Sequence, residues 1–486
     1  MNQKLALEIL LSGESALLTG PAGTGKTFLL NQFIRFAKDN GKHVSVTATT
    51  GLAATHLGGT TIHAWSGIGV LDSLPPRFVE HLAKGRKEII EKTDILIIDE
   101  ISMLHDYRLD MVDEVCRLVR KQPDTPFGGI QLVMSGDFFQ LPPVNRNGGR
   151  AGGFVVNSIA WKELDPVVLY LEQQYRQDES DDLLDILTAM REGDIRRRHA
   201  EKLLARADIE PPSDTTLTEL HTVNVDVDRI NEKRLQQLEG DELIYQRHTT
   251  GSDNYVESLQ RSVLAPEVLT LKQGALVMAV KNDTSRRYVN GSIGTVTDFE
   301  PVTEYPVVQF LNGKNVTMQP DTWELRDGTK KRASISQIPL RLAYAITVHK
   351  SQGMTLDAAR IDLRKAFVEG MGDVALSRVR SLDNLYLTGI NRMALQVSEA
   401  AQEIDQSLRA KSQEAITTFS SLLDNAPRRD MKKVTKKSGS SGWAEKIAKM
   451  RETYPNAYRP WTTTDDETLK QAFLTGSTVT QMSKQL

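Results

Sequence analysis

Short apolar runs alternate with helical patterns through the first 170 residues. Ser15–Gly20 (SALLTG), His43–Thr47, Asp94–Ile98 (DILII), Gln131–Ser135 (QLVMS) and Val167–Leu171 read as strands. DILII and QLVMS are near-continuous apolar runs, as in strands buried on both faces. A helix is expected from Lys26 onward. Strands separated by helices predict an α/β class with a parallel doubly wound sheet and its connecting loops at one edge. Residues 66–90 interrupt the alternation with Pro75, Pro76, several charges and a short amphipathic helix. A small subdomain is expected there. Residues 145–153 (NRNGGRAGG) read as a flexible loop.

A second α/β pattern starts near residue 172, with strands expected at Leu217–Thr222, Asp357–Asp362 and Leu385–Gly389. Between residues 275 and 335 apolar and polar positions alternate, and Asn290-Gly291 and Asn312-Gly313 supply hairpin turns. Part of this stretch reads as an all-β insert. Residues 391–424 look helical. Segment 428–437 carries six basic residues and one acidic, and with SGSSG behind it reads as a linker. Residues 443–486 read as a small helical tail.

Composition narrows the class. A length of 486 residues suits about three domains and several unstapled cores. The one cysteine, Cys116, excludes an intramolecular disulfide framework and a cysteine-rich zinc site, and it fits a reducing compartment. No run approaches the roughly 18 apolar residues of a membrane span. The apolar stretch at the start is short for a signal peptide and is interrupted at Glu8. A soluble, cytoplasmic protein with no membrane partner is expected. A net charge of −3 means that a nucleic-acid partner must be held by local basic surfaces.

The chemistry concentrates in a few motifs. Gly20-Pro21-Ala22-Gly23-Thr24-Gly25-Lys26-Thr27 matches GxxxxGK[ST] between a strand and a helix. Its glycines let backbone N–H groups face phosphate oxygens, and the helix N-terminus adds partial positive charge. Lys26 would reach the β/γ-phosphates of ATP, and the Thr27 hydroxyl would ligate Mg²⁺. Asp99 and Glu100 follow the buried ILII strand, where one carboxylate can hold Mg²⁺ and the next can polarise water. Gln140, in Gly136-Asp137-Phe138-Phe139-Gln140, could contact both γ-phosphate and water. Arg176 and Arg378 lie in the second α/β region and could stabilise charge on the γ-phosphate, or form ordinary surface ion pairs.

These residues and their order resemble superfamily 1 DNA helicases of the petite-integration-frequency (PIF) type, related to RecD and Dda. The resemblance runs over roughly 1–395 through GPAGTGKT (20–27), TATTGLAATHLGGTTIHAW (47–65), IIDEISM (97–103), GDFFQLPPV (136–144), LEQQYRQ (171–177), ITVHKSQGMTLD (346–357) and VALSRVRSL (374–382). It implies two RecA-like P-loop motor domains, 1–170 and 171–395, with ATP between them and 5′-to-3′ movement on single-stranded DNA. It implies a wedge-like insertion at about 66–90 and an SH3-like β insert at about 293–336. Carried over residue by residue, it points to Gln3 and Tyr175 at adenine, Arg176 and Arg378 as arginine fingers, and the Gly353 N–H near the γ-phosphate. For DNA it points to Thr50, His63, Asn290, Thr347, His349 and Lys350, groups that touch phosphates without reading sequence. Phe138, Phe139 and Trp65 are candidates for base stacking or for the core.

Two departures stand out. Asp373 in GMGDVALSR occupies a place where an aromatic or small polar residue is expected, so an effect on nucleotide or DNA contacts is expected. The region 396–442 reads as helix and basic linker. The region 443–486 resembles the start of a Myb-like or helix-turn-helix unit: Thr464 caps a helix, Glu467 completes a capping box, and no third helix follows. The reading is an ATP- and Mg²⁺-dependent helicase, monomeric in solution, nucleoid-associated, acting on single-stranded and forked DNA alongside replication or repair proteins. A translocating ATPase with little unwinding and a nucleotide-switched DNA adaptor are the alternatives.

Overall fold

The computed structural model describes residues 1–424 except 58, 70, 146–149, 178–180, 208, 213–216, 261–262, 282, 284–286, 289–290, 312, 328–329 and 357; beyond 424 it describes Gln471 and Thr475. The linker and the helix-turn-helix-like tail expected beyond 427 therefore lie outside the described residues, apart from those two positions. Residues 1–427 form one compact unit.

Six strands build the first sheet: β1 (Ala16–Thr19), β2 (Val44–Ala48), β3 (Thr60–Thr61), β4 (Ile95–Asp99), β5 (Gln131–Ser135) and β6 (Val167–Tyr170). Their order is β3-β2-β4-β5-β1-β6 and every pairing is parallel. Ile95 to Ile98 are essentially without exposure, which explains their unbroken apolar run. The ends of β1, β4 and β5 therefore lead to one edge, where a parallel sheet gathers ligands. The segment 66–90 holds the helices Phe78–His81 and Lys84–Lys92, packed on the first core through Leu82 and Ile90.

The second lobe opens with the helix Asp182–Arg191, and its first strand is β7 (Thr218–His221). Antiparallel strands follow: β8 (Leu243–Gln246), β9 (His248–Gly251), β10 (Val268–Leu271), β11 (Leu276–Ala279), β12 (Ile293–Phe299), β13 (Pro306–Phe310), β14 (Asn315–Thr317), β15 (Asp321–Asp327), β16 (Lys330–Gln337) and β17 (Leu340–Leu342). The chain then returns to parallel structure with β18 (Ala345–Thr347), β19 (Ala359–Leu363) and β20 (Leu385–Ile390), in the order β18-β7-β19-β20. The antiparallel region is two main sheets, β14-β13-β12-β11-β17 and β15-β16-β9, each with its own core. It starts at β8 and β9, well before 275, because β16 recruits β9 as an edge partner across a long stretch of sequence.

The helix Glu399–Phe419 follows β20 yet packs on the first sheet. Its Ala401 and Leu408 are buried in the first core. The Ser412 hydroxyl accepts the Tyr170 N–H at 3.1 Å, Tyr170 donates its hydroxyl to Asp405 at 2.8 Å, and Arg409 donates to that hydroxyl at 2.7 Å. The helix thus covers edge strand β6 and satisfies one of its free N–H groups. Among the described residues no helix is long and apolar enough to cross a membrane.

Leu408 is 4% exposed. Leu408→Ala should destabilise the protein by about 2–4 kcal/mol, read as a lower urea midpoint and faster proteolysis near 399–419.

Candidate nucleotide cleft and nucleic-acid groove

The loop after β1 owes its shape to three glycines with positive φ: Gly20 at 131°, Gly23 at 90° and Gly25 at 84°. A Cβ on Gly20 would meet the Leu171 carbonyl oxygen at 2.2 Å, and one on Gly25 would meet the Gln3 amide nitrogen at 2.3 Å. Only glycine fits at either place. Lys26 opens the Lys26–Asp39 helix and turns back to donate to the Gly20 and Pro21 carbonyls, at 2.6 and 3.0 Å. Burial pushes its ammonium pKa down. Thr24 is buried, its hydroxyl donating to the Pro21 carbonyl at 2.9 Å, whereas Thr27 is exposed at the helix start. Gln3 donates to the Thr24 carbonyl at 3.1 Å. Tyr175 hangs from the loop by its own N–H, bonded to the Gly23 carbonyl at 3.0 Å. The residue is 58% exposed, so this tyrosine is at the surface and not in the core.

Asp99 closes β4. Glu100 follows at φ 54°, a left-handed conformation that costs a non-glycine residue about 1–3 kcal/mol. Burial, and then the neighbouring Asp99, raises the Glu100 carboxyl to about 7. The Gln352 amide donates to the Glu100 carboxylate at 3.0 Å and to the Gln140 side-chain Oε1 at 3.1 Å. Gln140 in turn donates to Asp137 at 3.3 Å. These bonds tie the ends of β4 and β5 to the turn after β18.

Two arginines complete the cleft, Arg378 from the far side and Arg176 reaching across from beside the glycine loop. Arg378 is 1% exposed, and its guanidinium donates to the carbonyls of Val374, Ser351 and Met354 and to the Ser377 hydroxyl. Arg176 donates to the Ser377 carbonyl at 2.7 Å. Burial, with Arg378 and Arg380 nearby, pushes Arg176 down to about 9. Guanidinium groups held on carbonyls, with Lys26, Lys350 and Arg380 in the same cavity, suit a polyanion. The cavity they share with Lys26, Asp99, Gln140 and Gly353 measures about 640 Å³.

The amino-acid sequence and the fold find counterparts among known proteins. A family model described as PIF1-like helicase matches residues 3–201, and one described as DNA helicase Pif1, 2B domain, matches 254–299. An ATP-dependent DNA helicase Pif1 of Psychrobacter sp. is 36% identical over 515 residues, covering 94% of this chain and 78% of that protein. The chain belongs to the PIF1-like helicase family. The ATP-dependent DNA helicase PIF1 of Homo sapiens is 38% identical over 81% of this chain, which spans 61% of that longer protein. The crystal structure of Pif1 helicase from Candida albicans superposes with a TM-score of 0.73 at 33% identity, covering 84% of this chain and 98% of that one. A Bacteroides Pif1 helicase in complex with ADP-AlF3 and ssDNA gives 0.64 at 31% identity, covering 85% and 97%.

In this helicase the residues expected at DNA fall into separate places. Thr50 and His63 line a groove of about 630 Å³ between the first lobe and the antiparallel sheets, shared with Arg108, Leu259 and Trp323. Thr50 also borders the nucleotide cleft, as do His349 and Lys350. His349 stacks on Phe367 with ring centroids 6.2 Å apart, and Lys350 donates to Asn224 at 3.3 Å. Thr347 is 4% exposed, and its hydroxyl accepts the Lys350 N–H at 3.4 Å, so it shapes the turn from within. Asn290 lies outside the described residues. Phe138, Phe139 and Trp65 are 3%, 3% and 6% exposed and belong to the core, leaving no face for a base.

Sequence reasoning passed over Gln352, Asp137, Arg191 and Arg380. Gln352 and Asp137 sit inside the quoted HKSQG and GDFFQ motifs, and Arg380 lies two residues past Arg378. Arg191 carries no local signal. Asp373, expected to disturb nucleotide or DNA contacts, is wholly buried and ion-paired to Arg191 at 2.8 Å.

A carboxyl raised to about 7 keeps a proton in the fold that the unfolded chain has released. Its contribution to stability therefore falls as pH rises from the ordinary carboxylate range through 7. Glutamine cannot ionise. Ligand-free Glu100→Gln should melt about 1–3 °C above the parent at pH 8, with the difference gone at pH 5, by calorimetry.

Proposed function

We propose that this ATP-dependent DNA helicase moves 5′-to-3′ on single-stranded DNA and unwinds forked duplex, driven by ATP hydrolysed between its two α/β lobes acting as RecA-like motors. The observation that carries the reading is the cleft itself: a glycine loop and two carboxylates share one cavity with the buried Arg378 and the half-buried Arg176.

In this reading the loop N–H groups cradle the triphosphate, and Lys26 leaves the Gly20 and Pro21 carbonyls for the β/γ-phosphate oxygens. Gln3 and the Tyr175 ring take the adenine. Thr27 and Asp99 are a hydroxyl and a carboxylate at the loop's end, a hard oxygen donor set that fits Mg²⁺. An ion held there would supply charge neutralisation at the phosphates. Glu100 accepts the proton of a water whose oxygen attacks the γ-phosphorus; the bond to the β–γ bridging oxygen breaks and ADP leaves. Only the ionised Glu100 carboxylate can accept that proton. Closure draws Arg176 and Arg378 from the carbonyls onto the γ-phosphate oxygens, and the Gly353 N–H with them.

The groove of Thr50 and His63, continuing past His349 and Lys350, holds the DNA backbone. Segment 66–90 serves as the wedge, and 293–336 as an SH3-like clamp over the strand. Single-stranded DNA bound to a relative of 31% identity supports that partner. The protein works as a monomer.

The test measures ATP hydrolysis with and without a single-stranded oligonucleotide, at low and physiological salt, and strand separation on forks with a 5′ or a 3′ tail. Stimulation that weakens with salt and unwinding from the 5′ tail are expected. Lys26→Ala and Glu100→Gln should lower stimulated turnover by about 100-fold or more; normal turnover in either would overturn the reading. ATP consumed without strand separation would favour the translocase.

A further inference from the structure

Three charged side chains near the cleft have no part in the chemistry above. Asp137 follows β5 in the first lobe. Arg191 ends the Asp182–Arg191 helix, and Asp373 lies in the Met371–Leu376 helix, both in the second lobe. Arg191 donates to Asp137 at 3.2 and 2.6 Å and to Asp373 at 3.0 and 2.8 Å. One guanidinium thus holds two carboxylates, each through a pair of bonds. The Phe139 ring sits 5.0 Å from its centre. Arg191, Asp137 and Asp373 are 9%, 3% and 0% exposed.

A buried ion cluster is a poor way to gain stability, because apolar groups of the same volume do as well or better. Its geometry is more informative. From Asp137 the hydrogen bonds run to Gln140, to Gln352 and to Glu100. From Asp373 the next residue is Val374, whose carbonyl receives the Arg378 Nε at 2.7 Å. The Arg191 carbonyl also accepts the Gln402 amide at 3.1 Å, from the helix that covers β6. Arg191 is therefore a second crossing point, beside the Gln352–Glu100 bond, between the residue that activates water and the arginine that meets the γ-phosphate. The two lie on different lobes.

We propose that Arg191 and Asp373 are positioning residues that hold Gln140 and Glu100 in register with Arg378 across the cleft, so that the state of the γ-phosphate is felt by both lobes at once. The proposal rests on the roles given above to Glu100, Gln140 and Arg378. It explains why an acid occupies position 373: the carboxylate completes the fork on Arg191 that Asp137 alone leaves half used.

The test uses the full chain with saturating single-stranded oligonucleotide. Arg191→Met should lower kcat for ATP about 10- to 100-fold, the scale of a small misplacement of catalytic groups. Affinity for a fluorescent ADP analogue should be unchanged, because ADP has no γ-phosphate. Arg191→Lys should recover part of the rate. Asp373→Asn should lower kcat less, and the Arg191→Met, Asp373→Asn double variant should be no slower than Arg191→Met, because Asp373 acts only through Arg191. Losses that multiply in the double variant, or an ADP affinity that falls in step with kcat, would overturn the proposal. If Arg191→Met does not fold, Asp373→Asn decides alone, since it leaves Arg191 paired to Asp137; an unchanged kcat there overturns the proposal. Lys26→Ala separates the two levels: if it keeps its turnover the site reading fails, whereas an inert Lys26→Ala beside unaffected triad variants removes only the positioning role.

Discussion

Positive charge buried without enough negative charge governs the cleft. Lys26, Arg176 and Arg378 spend their hydrogen bonds on backbone carbonyls and one hydroxyl. Carbonyl dipoles solvate a cation but do not neutralise it, and in a medium of low polarity the remainder is strong. Much of the local structure answers to that remainder. The carbonyls must point inward, which fixes the turns after β1 and β18. Glu100 and Asp137 must stand close enough to moderate the field without filling the space a polyphosphate needs.

The backbone meets the same constraint from below. Parallel strands end together, so the loop after β1, the carboxylates after β4 and the glutamine after β5 converge without long connections. Glycine at 20, 23 and 25 lets the loop close over Gln3 and Tyr175, and the strained Glu100 keeps its carboxylate turned toward Gln352. Each is a local cost borne for a shared geometry.

Much of this was legible in the residues. β1, β4 and β5 announced themselves as apolar runs because they are buried on both faces, and the phosphate loop because its chemistry demands a fixed spacing. The rest depends on contacts between distant segments. Nothing near residues 399–419 says that they cover β6, and nothing near His248 says that it pairs with Ser336. Nothing local to Tyr175 says that it is exposed, because a ring on a surface loop and a ring in a core have the same local pattern. Phe138 and Phe139 follow a strand end that also carries polar groups, and only packing shows that they turn inward. Asp373 looked like a disturbance because its partner Arg191 lies 182 positions away.

The helix that returns from the second lobe to cover β6 changes the mechanics of the molecule. The lobes are joined twice, once where the chain leaves β6 and again where it leaves β20 for the 399–419 helix. Two connections restrict how far one lobe can turn or slide against the other more than a single one would. The second strap therefore narrows the set of arrangements the lobes can share.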